Sequence, residues 1–279
     1  MEKIIFVVFL FSASFVFSQT DEEESELDNI LDELFGLDSF DVETKKLSFL
    51  YASFSYSDKA YFAGRDFGVD QYGITSSLSY MSSNNFFLSI GSAYYSKLDP
   101  QWDLISLSTG YSKFIGKKEK LSLTGVFSRS FFLSNTSDLN PNRLSTSISL
   151  TEKNLKIRVS GGYLFGGSST FYASADAAYR IKLIEDQKLT LDFRPGFNFL
   201  FSKQTISEEI SVSSFNSIVA ETDVFDLINT QFSFPFEADY GNWDFQFAYA
   251  INAPKAIGNE TDISQNGFLS FSICYLIGF

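Results

Sequence analysis

Alternation with a period of two constrains this chain more than any other feature. From Leu47 onward it recurs in twelve runs, at residues 47–57, 72–81, 86–95, 103–114, 120–132, 143–151, 154–165, 170–181, 188–201, 228–240, 243–252 and 267–279. Successive side chains of a strand point to opposite faces, so each run makes a ribbon with one apolar face and one small or polar face. In the last run Leu269, Phe271, Ile273, Tyr275, Ile277 and Phe279 oppose Ser270, Ser272, Cys274 and Gly278. Leu276 is the one bulky residue on the polar side. The first run is ragged. Leu47, Phe49 and Tyr51 share one parity and Phe54 and Tyr56 the other, which predicts a bulge.

The connectors alternate in length as well. Those after even runs are short, such as SSNN and EKN, and those after odd runs are generally longer, up to residues 202–227. Short turns on one side and long loops on the other, with an even strand number, characterise transmembrane barrels. A soluble sandwich has no reason to alternate its loops this way. Aromatics make up 18% of the chain, with 33 Phe and 14 Tyr, yet the mean hydropathy is zero. Apolar and polar residues are interleaved, and no run is long enough for a membrane helix. The expected fold is all-β: one closed antiparallel transmembrane β-barrel of about twelve strands. Tyr80, Phe86, Tyr111, Tyr179, Tyr240 and Trp243 near run ends suit aromatic girdles. Arg129 stands on an apolar parity and predicts either snorkelling to the interface or a register change.

Three segments precede and form this fold. Residues 1–18 read as a cleavable signal peptide, with an apolar run from Ile4 to Phe17. Residues 19–46 form an acidic periplasmic leader, read either as a disordered tail or as a short docking helix through Leu27, Ile30, Leu31, Leu34 and Phe35. Residues 47–279 form the barrel. Of the net charge of −13, residues 20–46 carry eleven acids and two bases, or −9. Such a surface excludes nucleic acid as a partner. The expected partners are outer-membrane lipid and a periplasmic protein bound by residues 21–38.

Chemistry of the enzymatic kind is missing from the sequence. There is no histidine and a single cysteine, Cys274, which removes His-based acid–base catalysis and His/Cys metal sites. No catalytic residue, metal site or cofactor is expected. Acid pairs at Asp223 and Asp226, and at Glu260 and Asp262, read as solvated loop charge before Ca²⁺ ligands. The informative residues are those expected on the inner face: Lys156, Arg158, Asp176, Arg180, Asp192, Arg194, Glu237 and Asp244. Beside the hydroxyl-rich wall of the earlier strands they describe either a selective aqueous pore or a salt-bridged plug.

Two stretches carry a family resemblance. YFAGRDFGVDQYGITSSLSYMSSNNFFLSIGSAYYSKLDPQWDLISLSTGY, residues 61–111, and the leader LDNILDELFG, residues 27–36, resemble porin-like outer-membrane barrels of the Bacteroidetes. The strand ending on Phe279 resembles the closing strand that the barrel-assembly machinery reads. These resemblances imply location and fold, and they bring no site residue. The expected function is a passive pore for small polar solutes, with a non-conducting scaffold or surface-interaction barrel as the alternative.

Overall fold

The computed structural model describes residues 48–278 apart from 63, 67–69, 117–119, 134–139, 187, 214–215, 259 and 261–262. The signal segment, the acidic leader and Phe279 lie outside the described residues. The twelve runs become twelve strands: β1 Phe49–Ser57, β2 Gly73–Met81, β3 Phe86–Tyr95, β4 Trp102–Ile115, β5 Leu121–Phe132 and β6 Asn142–Glu152 in the first half. The second half holds β7 Leu155–Phe165, β8 Thr170–Tyr179 continuing as Ile181–Glu185, β9 Leu189–Phe193 continuing as Gly196–Ser213, β10 Asn216–Tyr240, β11 Trp243–Pro254 and β12 Asn266–Gly278. Each pairs antiparallel with its neighbours in chain order. β12 pairs with β1 from Ser57↔Ser270 to Phe49↔Gly278, and the ring closes without an edge.

Parity decides which face is which. Leu78, Leu88, Ile90, Leu107, Leu123, Ile148, Val159, Phe232 and Phe247 are exposed on the outside. Burying one such side chain is worth about 1.5–3 kcal/mol, so a continuous band of them demands an apolar surround. Aromatic rings bound the band. At the end with the short turns, Tyr80, Phe86, Tyr111, Tyr179, Tyr240 and Trp243 are all exposed. At the loop end Tyr56, Tyr72, Tyr94 and Trp102 form a chain of ring contacts at 5.8, 6.1 and 5.3 Å. Arg129 lies on the outside near the loop end, in unbroken register opposite Leu107. It donates to Asn142 Oδ1 at 3.3 Å and its guanidinium lies 5.5 Å from the Phe131 ring centroid. Snorkelling, not a register change, accounts for it.

Three local departures shape the wall. The bulge expected in β1 is absent: β1 keeps continuous register with both β12 and β2. Phe49 and Tyr51 instead turn inward and bury against Cys274, with Met81 and Leu276 packed beside them. Leu276, the exception in the last run, is the inward partner that these rings need. A bulge does occur in β10, where Leu200 pairs with Asn229 and Phe201 with Leu227. Ile228 is thereby turned inward and left 2% exposed, against its outward parity. The third departure crosses β8 to β10. β8 is interrupted at Arg180 and β9 at Arg194–Pro195, opposite Pro235 of β10. Proline cannot donate to a ladder, and the broken segment of β9 meets the proline of β10.

Residues 202–227, expected as an external and partly strand-like connector, are strand throughout the described part. β9 and β10 pair with each other up to Ser213↔Asn216. β8 leaves β9 at Ser202 and β11 leaves β10 at Asn229, so a two-stranded ribbon stands beyond the rim.

Tyr172 depends on a glycine. A Cβ built at Gly162 would lie 2.3 Å from the Tyr172 ring, and Arg143 donates to the Tyr172 hydroxyl at 3.2 Å. Gly162→Ala should destabilise the barrel by about 1–3 kcal/mol, the range for overpacking a filled site. The check is the urea midpoint of the gel shift between folded and unfolded barrel.

Candidate functional site

Inward residues of adjacent strands that pair directly fall into rows. Because barrel strands tilt by about 35–45°, each row winds around the wall and climbs along the axis. Two rows that begin in the first half are hydroxyl-lined. Ser79, Ser89, Ser108 and Ser128 stand in register, with Oγ–Oγ contacts of 2.7 Å for Ser79–Ser89 and 2.8 Å for Ser108–Ser128. Ser112, Thr124, Ser147, Ser160 and Ser174 form the other, with contacts of 2.8 Å for Ser112–Thr124 and 2.6 Å for Ser160–Ser174. These hydroxyls satisfy one another across strands, which lets a wall of small residues be buried at little cost.

The second half carries the charge. All eight sequence-predicted residues stand on inward parity: Lys156 and Arg158 on β7, Asp176 on β8 and Arg180 at its break, Asp192 on β9 and Arg194 at its break, Glu237 on β10 and Asp244 on β11. The structure brings six of them into two clusters. Arg158 Nε donates to Asp176 Oδ2 at 3.1 Å, and Asn198 Nδ2 donates to Asp176 Oδ1 at 2.7 Å. Near the turn end Asp192, 1% exposed, anchors two arginines. Arg180 meets its Oδ2 at 2.5 Å and Arg194 at 3.4 Å. Arg194 Nε also lies 2.9 Å from Glu237 Oε2, and Gln246 Nε2 donates to Glu237 Oε1 at 3.2 Å. Lys156 is placed two residues from Arg158, and Asp244 faces Asp239 in the adjacent strand. The interruptions at Arg180 and Arg194 let both guanidinium groups converge on one carboxylate.

Sequence reasoning left several inward groups out of the candidate site. Arg143, 3% exposed, reaches Tyr172 from β6. Asn229, Asn252, Asn266 and Gln231 form an amide cluster on β10 to β12. Asn252 Oδ1 accepts from Asn229 at 3.1 Å and Gln231 at 2.9 Å, and Asn252 Nδ2 donates to Asn266 at 3.0 Å. Parity alone placed each of these inward. Uncharged amides simply drew less notice than ions.

Two loops fold inward at the loop end. Between β1 and β2, Tyr61–Phe62 pairs with Arg65–Asp66 in a tight hairpin. Its Gly64, at φ +79°, presses against Asn229, and Gly64 O accepts from Asn266 Nδ2 at 2.7 Å. Tyr61 packs on Phe268 at 5.7 Å. Between β11 and β12, Ile257 buries among Leu164, Tyr172, Leu200 and Ile228 of β7 to β10. The loops join where Arg65 pairs with Glu260 and donates to Lys255 O at 3.0 Å. The acids weighed as Ca²⁺ ligands take cation partners instead: Asp223 meets Lys203 at 2.8 Å and Asp226 meets Lys255 at 2.6 Å. Asp262 lies outside the described residues.

A closed twelve-stranded antiparallel barrel, apolar outside and ionic inside, is the class that this geometry defines. No protein-family model matches the chain, and no curated protein matches it in sequence. Its fold is similar to solved barrels. The NanC porin is 11% identical over 81% of this chain and 98% of its own, with a TM-score of 0.47. The KdgM porin is 11% identical over 82% and 98%, with a TM-score of 0.47. The COG4313 outer membrane channel from Pseudomonas putida F1 is 11% identical over 83% and 96%, with a TM-score of 0.46. At these identities no residue role transfers.

Two expectations follow from the ion pairs. Asp192→Ala should destabilise the barrel by about 3 kcal/mol, because it leaves Arg180 and Arg194 facing each other across a buried position. Urea unfolding measures it. On the ribbon, the Lys255 hydrogen bond, followed by the Leu227 backbone N–H, holds the Asp226 carboxyl below its ordinary value. A depressed carboxylate stabilises the fold above its unfolded pKa and ceases to do so as the pH falls through the folded one. The Lys255–Asp226 contact should therefore persist at neutrality and release only below the ordinary carboxylate range. Hydrogen exchange of 255–258 against pH would show the release, and Asp226→Asn should abolish its pH dependence.

Proposed function

We propose that this protein is an outer-membrane β-barrel that passes small polar solutes. One observation carries the reading. The closed wall presents an apolar band between two aromatic girdles on the outside and ionic and amide groups on the inside. The outside suits hydrocarbon, where only a closed barrel satisfies every backbone amide. The inside suits water and polar solutes, since ions buried in a dry filling cost several kcal/mol each. The short turns then face the periplasm and the ribbon of β9 and β10 the exterior. The eight inward residues singled out in the sequence, four cations and four anions, would set the ion preference of the conduction path.

A second reading has an observation of its own. The hairpin at Gly64 and the Ile257 loop cover part of the mouth, as a silent surface-interaction barrel would require. Single-channel recording of the purified, folded protein separates the two. Stable open steps support the pore, and silence supports the scaffold. In a conducting barrel, Arg194→Ala uncovers Asp192 and Glu237 and should move the reversal potential toward cation selectivity. An unchanged reversal potential would take Arg194 out of the conduction path.

A further inference from the structure

One row of the inner wall climbs from the turn half of β7 to the loop end of β12. Arg158, Asp176, Asn198, Gln231, Asn252 and Asn266 are direct cross-strand partners on β7 to β12, in that order. Hydrogen bonds link Arg158 to Asp176 to Asn198, and Gln231 to Asn252 to Asn266. Arg158 is the fourth residue of β7 from the turn end, and Asn266 opens β12 at the loop end. Five steps of about 4.8 Å make the row about 24 Å long. A tilt of about 40° lifts its far end about 15 Å along the axis. Its upper four rungs, Asn198, Gln231, Asn252 and Asn266, are carboxamides that both donate and accept.

We propose that this row is a track for uncharged polyhydroxylated solutes, and that the Gly64 hairpin occupies its top rung in the closed barrel. The proposal rests on the pore reading. Its chemistry lies in the rungs. The single ion pair, Arg158–Asp176, is neutral in sum, and the four rungs above it are carboxamides, which offer two donors and an acceptor each. Neighbouring hydroxyls of a sugar also donate and accept in turn, and they exchange along such a row without a charge to desolvate. In the next row toward the turn end the small residues Gly196, Ser233 and Ala250 flank the track, and Phe268 ends that row. Tyr61 of the hairpin loop packs on the Phe268 ring in the closed barrel, the place a sugar ring would take.

The hairpin behaves as a solute would. Gly64 O accepts from Asn266 Nδ2, the contact a solute oxygen would take. The tip also seals Asn229, which is 3% exposed and whose Oδ1 has no hydrogen-bond partner. A buried amide oxygen gains from a hydrogen-bond donor placed against it. The closed state is therefore under-satisfied at the spot where a hydroxyl donor would supply the missing bond. Only glycine fits the tip, because a Cβ there would lie 2.2 Å from Asn229 Nδ2 at a left-handed φ of +79°.

Gly64→Ala should push the hairpin off the wall and open the barrel, and sucrose is the probe. In planar bilayers the Gly64→Ala variant should show larger or longer open steps than the wild type, and millimolar sucrose should reduce its current. Adding Asn198→Ala should weaken that block about fivefold, the loss of one neutral hydrogen bond, while Ser270→Ala, off the row, leaves it unchanged. Open steps with no sucrose block, or a block indifferent to Asn198→Ala, would overturn the track and leave the pore intact. Folded variants that stay silent would overturn the pore. Binding is then read without current, by saturation-transfer NMR from the barrel to sucrose in detergent micelles. Transfer in Gly64→Ala that Asn198→Ala and Asn252→Ala each reduce upholds the site. Transfer that is absent, or unchanged by both, refutes it.

Discussion

Register is the constraint on which everything else in this barrel depends. Once β12 pairs with β1, no strand can slip by one residue without turning its apolar face into the lumen and its ions outward. Every inward row inherits its composition from that one condition. The hydroxyl rows, the Asp192 cluster and the amide row are not assembled by loops. They follow from which residues oppose one another across neighbouring strands.

The strand ladder is interrupted, with its register kept, where the wall gathers charge. Pro195 and Pro235 meet at the break in β9, and Arg180 occupies the matching break in β8. The register sets Arg180 directly opposite Arg194, since Ala178 pairs with Gly196 and Ile181 with Phe193. The interruption lets both reach the Oδ2 of Asp192. The prolines cost ladder hydrogen bonds, and the ion cluster offsets part of that cost. The same economy appears at Ile228, where one inserted residue trades an outward side chain for an inward apolar contact that seats the Ile257 loop.

Much of this was legible in the sequence, and the reason is geometric. A period of two reports the face of every residue, so strand number, closure and the inward set follow from parity, as with Arg158, Asp192 and Asn252. What parity cannot report is displacement along the strand. The inward turn of Phe49 and Tyr51 looked like a bulge, because the answering residue, Leu276, lies in the far end of the chain. Ile228 looked outward, because its bulge is specified by pairing with β9 and not by its neighbours in sequence. The infolded hairpin was invisible for the same reason. Gly64 is an ordinary turn glycine until Asn229, far along the chain, stands against it.

The two ends of the lumen are built on different physics. At the turn end the wall neutralises itself through fixed ion pairs, Arg180 and Arg194 against Asp192 and Glu237, held by strands that cannot separate without opening the barrel. At the loop end the contacts are of the reversible kind: a backbone carbonyl on an amide, the surface ion pairs Arg65–Glu260 and Lys255–Asp226, and the side chain of Ile257 in an apolar cleft. Exposed pairs of this sort contribute about 0–1 kcal/mol. The cost of opening the mouth is thus set mainly by Ile257 and the Gly64 rung, and the cost of opening the other end by the barrel itself. Any gating in this fold belongs at the loop end, above a turn end whose charge stays fixed.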